Sequence, residues 1–159
     1  MKSLIVFSSQ SGNTRKLADA VADVLPGEKD LLAADGAPEK IDGFDLVAVG
    51  FWLMGGKPDP KSSEFLVKLS GKKVFLFATH GAAKGSAHAV AAMEHAVKLA
   101  DGAQIVGTFS CQGEVQAKVI EKASAKVPPP VWLADAPSAA GHPDAADIAA
   151  VKIAVKACL

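Results

Sequence analysis

No tyrosine occurs among the 159 residues, and only two cysteines are present, Cys111 and Cys158. Two thiols cannot build a disulfide framework, so an apolar core must hold the fold, and reduced thiols in a cytoplasm are expected. Net charge is missing too, because 17 Lys and Arg balance 17 Asp and Glu. A balanced surface offers no basic field, so no nucleic-acid partner is expected. No apolar run approaches the ~20 residues needed to cross a bilayer, so no membrane span is expected. Met1-Lys2-Ser3 leads straight into apolar sequence, without a long apolar segment and cleavage site that would point to export.

What is present is a half-apolar chain, 50% by composition, long enough for one domain over residues 1–159. Short apolar runs alternate with helical patterns. Leu4 to Phe7, Asp30 to Ala34, Asp45 to Phe51, Lys73 to Ala78 and Gln104 to Phe109 have strand character. Helical spacing begins near Asn13 and recurs over Ser62–Leu69, Ser86–Leu99, Val115–Lys126 and Asp144–Cys158, the last with Pro143 expected in its first turn. Such alternation predicts an α/β fold, a parallel sheet with right-handed crossovers and helices on both faces. Between the fifth strand and the last helix, about Ser110 to His142, the sequence is unusually long for a connection and carries Pro128-Pro129-Pro130.

The first strand is followed by Ser8-Ser9-Gln10-Ser11-Gly12-Asn13-Thr14, hydroxyl-rich and free of acidic side chains. The opening N–H groups of a helix lack internal partners and favour an anion, so this stretch can cradle a phosphate, or serve simply as a turn with an N-cap. It lacks the Gly-x4-Gly-Lys-Ser/Thr of a P-loop and the three glycines of a dinucleotide fingerprint. Ser-x-Ser-Gly-x-Thr, at Ser9 to Thr14, instead resembles the phosphate loop of flavodoxins, and element order extends the resemblance over nearly the whole chain. Gly50-Phe51-Trp52 and Ser110-Cys111-Gln112-Gly113 are similar to small flavodoxin-like proteins of anaerobic bacteria.

The resemblance implies a three-layer sandwich with a five-stranded parallel sheet in the order 2-1-3-4-5, with an insertion after strand five. It implies FMN as cofactor, held by three loops at the carboxyl ends of the strands. These supply Ser9, Gln10, Ser11, Gly12, Asn13 and Thr14 for the phosphate. Phe51, Trp52, Leu53, Met54 and Gly55 follow strand three, and Thr79, His80, Gly81 and Ala82 follow strand four. Trp52 suits a ring wall, yet aligning the glycines puts Met54 where the family has a tryptophan; Phe51 and Trp52 are equally compatible with a strand-end core. With no tyrosine available, His80 or Ala82 is expected where the family stacks one. Lys57 and Lys84 flank the implied site and are expected to make its potential less negative.

The activity implied is electron transfer to a partner redox protein, by a monomer or weak dimer. Two alternatives remain open: an FMN-dependent NAD(P)H:quinone-type reductase with His80 as proton donor, and a flavin-free interaction module. No metal site is expected, because His88 and His95 lie two helical turns apart and cannot share an ion. Cys111 is compatible with a buried inert thiol or a redox thiol. Trp132, between apolar Val131 and Leu133, suits either a partner contact or a plug into the domain's own core.

Overall fold

The computed structural model describes residues 1–159. Five parallel strands form the central sheet: β1 (Lys2–Phe7), β2 (Glu28–Ala33), β3 (Leu46–Met54), β5 (Lys73–His80) and β6 (Gln104–Gln112). Their order is β2-β1-β3-β5-β6, and a two-residue strand, β4 (Lys57–Pro58), pairs antiparallel with the end of β3. The expected order 2-1-3-4-5 holds for the five long strands. The extra ribbon, invisible as a strand in so short a stretch, shifts the numbering to 2-1-3-5-6.

Helices cover both faces: α1 (Asn13–Val24), α2 (Pro60–Leu66), α3 (Ala87–Leu99), α4 (Ala117–Ser124) and α5 (Ala145–Lys156). Strand side chains alternate between faces, and the two cores follow that alternation. Leu4, Val6, Val47, Val49, Phe51, Leu76 and Ala78 pack toward Phe65, Leu66 and Leu69 around α2 and Ala96 of α3. Ile5, Phe7, Ala48, Phe75 and Phe77 pack on the other side, against Leu17 and Val21 of α1 and Val151 and Val155 of α5. Strands buried on both faces are nearly continuous in apolar residues, which is why β1, β3 and β5 were legible. Edge strand β2 is mostly exposed and opens with Glu28, Lys29 and Asp30, charges that discourage pairing with another chain.

Boundaries moved where caps intervene. Asp144 caps α5, which starts at Ala145: its carboxylate accepts the Asp147 N–H while Asp147 accepts the Asp144 N–H, and Pro143, expected in the first turn, stays outside the helix. Similarly, Asp59 accepts the Ser62 N–H and lets α2 begin at Pro60. Strand β6 continues to Gln112 because His80 remains its partner to the end of β5. The long stretch after it is therefore structured, as α4 and then nine residues of 3-10 turns over Val131–Ala139.

Candidate functional site

A cleft with about 720 Å³ of empty space opens at the carboxyl ends of β1, β3 and β5. One end is the turn into α1. Gly12 takes a left-handed φ of 92°, which a side chain would resist, and α1 opens with neither a side-chain cap nor an acidic residue in its first turn. The Ser9 hydroxyl oxygen accepts the N–H of Gly12 at 3.1 Å and of Arg15 at 3.4 Å. Its own proton therefore points elsewhere. The Thr14 and Thr79 hydroxyls are hydrogen-bonded to each other at 2.9 Å, so one of the two protons also stays free. The result is a pocket end rich in N–H and O–H donors. Arg15, the nearby cation, turns away to Asp19 and the Phe7 ring.

Of the fifteen residues singled out from sequence, Ser9, Gln10, Ser11, Asn13, Thr14, Trp52, Leu53, Gly55, Thr79, His80 and Gly81 line this cleft. Gly12 shapes the turn from behind. Three others are placed differently. Phe51 is fully buried in the α2/α3 core, because it shares the parity of Val47 and Val49 along β3. Met54 is 56% exposed and outside the cleft. Gly55 and Gly56, with φ of 61° and 76°, reverse the chain into β4 and carry Met54 out on the ribbon, leaving Trp52 in the lining. Ala82 is 1% exposed, and its carbonyl accepts a hydrogen bond from His80.

That bond defines the state of His80. A carbonyl only accepts, so Nδ1 carries the proton and Nε2 is bare; Nε2 is buried without a protein partner. Burial lowers the His80 pKa, the Ala82 bond opposing and His88 adding to the shift. The ring is neutral at pH 7. Lys57 and Lys84 do not line the cleft, and the Lys84 ammonium sits over the Phe109 ring. Cys111 is wholly buried, and burial, with Asp147 adding, pushes its thiol up to about 12, the profile of an inert thiol.

The rest of the lining is Gly56, His88, Gly113, Glu114, Val115, Gln116, Val119 and Trp132. His88 lies against Gly56. Asn13 is a strut, since its side-chain N–H donates to the Glu114 carbonyl and its side chain fills the space where Gly113 has no Cβ. Trp132 reaches the cleft from the 3-10 segment and rests on Gly81. The absent tyrosine, together with a long connection leaving the ligand edge, was the available signal for it.

Comparison with known proteins agrees with this architecture. The family model described as flavodoxin domain matches residues 4–156. The flavodoxin-like domain-containing protein BilS of Clostridioides difficile is 31% identical over 119 residues, covering 72% of this chain and 68% of that protein. Oxidised flavodoxin 2 from Bacillus cereus aligns with a TM-score of 0.64 at 21% identity, over 99% of this chain and 97% of its own. A flavoprotein from Lactobacillus acidophilus, solved in complex with FMN, aligns with a TM-score of 0.54 at 22% identity, over 69% and 92% of the two chains. At these identities the two solved structures speak for the fold.

Proposed function

The chain belongs to the flavodoxin family, and on that premise we propose that it binds FMN in the cleft and passes electrons to a partner redox protein. The observation that carries the proposal is the pairing of two unlike ends in one cleft: a donor-rich helix start without acidic residues, and an indole-bearing wall. A phosphate fits the first, because unpaired N–H groups and free hydroxyl protons point to an anion. A broad, flat ring fits the second.

Ser9, Ser11 and Thr14 would hold the phosphate, with Thr79 fixing the Thr14 hydroxyl. Trp52 and Leu53 would face the ring, and the peptide at Gly55 approaches without a side chain in the way. Bound FMN supplies one- and two-electron redox chemistry, which the protein tunes through stacking, hydrogen bonds and charge. The chain's own part is to orient the ring and shield it while leaving an edge open. His80 weighs against the reductase alternative, because the proton on its imidazole is committed to the Ala82 carbonyl and Nε2 has none to donate. Titrating the purified protein with FMN, read by visible absorption and flavin emission, tests the proposal. Saturation at one FMN per chain is expected, and absence of any spectral change would overturn it.

A further inference from the structure

We infer that Trp132, on the 3-10 segment Val131–Ala139, is an aromatic wall of the ring-binding slot, supplied from outside the three loops that ordinarily form a site at the carboxyl ends of these strands. The inference rests on the flavin reading of the cleft and deepens it: the ligand class is a planar heteroaromatic ring.

The loop after β5 has no ring to offer and no room for one. A Cβ at Gly81 would lie 2.6 Å from Val115 Cγ2 and 3.3 Å from Trp132 Cε3, so the space above that peptide is already taken by these two side chains. Ala82 is buried outside the cleft. His80 is held by its bond to the Ala82 carbonyl. Whatever covers a flat ligand on this side must therefore come from elsewhere in the chain.

Trp132 is fixed in that place by bonds it does not itself make. The Asp135 carboxylate accepts the Ala83 N–H at 2.9 Å, which ties the segment to the loop after β5. Gln112, the last residue of β6, donates to the Ser138 hydroxyl at 2.9 Å, and Ser138 donates to the Asp135 carbonyl at 2.7 Å. Ala136 and Ala139 are buried beneath. Pro128 to Pro130 restrict the approach to the segment, so little conformational freedom remains to be lost when a ligand arrives. An indole packed on a glycine and only partly buried still presents apolar surface to the cleft, which a flat ring would cover. The stretch after β6 is on this account part of the ligand site, and not only a surface offered to partners.

The test compares FMN binding to the full-length wild type, Trp132→Phe and Trp132→Ala, following dissociation constants and the emission of bound flavin. Trp132→Ala should weaken binding about tenfold and brighten emission, whereas Trp132→Phe, which keeps a ring, should recover most of the affinity. Wild-type binding with unchanged Kd and emission in Trp132→Ala would overturn this inference while leaving the cleft reading intact. No binding by the wild type would overturn both. Should Trp132→Ala not fold, Asp135→Ala, which frees the segment from Ala83 without touching the cleft, carries the same expected loss and the same overturning result.

Discussion

The hydroxyls of Thr14 and Thr79 lie 2.9 Å apart, joining the first turn of α1 to the end of β5 inside the cleft lining. Both residues are nearly inaccessible, at 1% and 4% exposure, so neither hydroxyl has water as a ready substitute partner. The bond therefore links two of the three site loops directly. Thr79→Val keeps the shape but strands the Thr14 hydroxyl, which should lower stability by about 1–3 kcal/mol in urea unfolding. An unchanged midpoint would mean that Thr14 finds another partner.

Ser11 is exposed at the rim of the donor-rich end, so a carboxylate there reaches the anion position without disturbing the core. Ser11→Glu should reduce FMN affinity by about tenfold or more through repulsion of the phosphate in a low-dielectric pocket. Riboflavin, which lacks the phosphate, should bind both proteins alike. Equal FMN affinity in wild type and variant would place the phosphate elsewhere.

Trp52 lines the cleft and Met54 does not. Trp52→Ala should weaken flavin binding and raise the emission of whatever flavin remains bound, while Met54→Ala should alter neither. A larger effect from Met54→Ala would show that the Gly55-Gly56 ribbon folds over the ligand.

His142 hydrogen-bonds through Nδ1 to the Asp147 carboxylate, within the capping box of α5. That bond raises the His142 pKa above its ordinary value; burial opposes it, and the Asp147 and Asp144 charges add to the rise. A raised pKa in the folded state means that the protonated ring favours folding. Its contribution is fully present below the unfolded value near 6.5 and is lost as pH rises through the folded value. The unfolding midpoint should therefore decline as pH rises from about 6.5 through the raised folded value, and His142→Asn should remove that part of the slope. Added salt should shrink the effect, because the ring is partly exposed. Identical pH profiles for the two proteins would refute the assignment.

Local pattern was enough to determine the layered architecture and one end of the site. Short continuous apolar runs rich in β-branched and aromatic residues suit strands buried on both faces, and alternation with helical periods leaves a parallel sheet as the arrangement that covers them. The turn at Ser9 to Thr14 was legible for the same reason, since a strand, a hydroxyl-rich turn and a helix start are contiguous in sequence. Even the burial of Phe51 was encoded in its parity with Val47 and Val49, although an aromatic pair at a strand end obscured it. Tertiary structure alone decided between Trp52 and Met54, through two left-handed glycines that turn β3 back into β4. It alone brought Val115 and Trp132 beside Gly81 and Val119 into the same lining. No periodicity links residues on opposite sides of a fold. Their meeting depends on where a long connection docks, and here that is set by single side-chain bonds such as Asp135 to Ala83, which leave no pattern in the sequence.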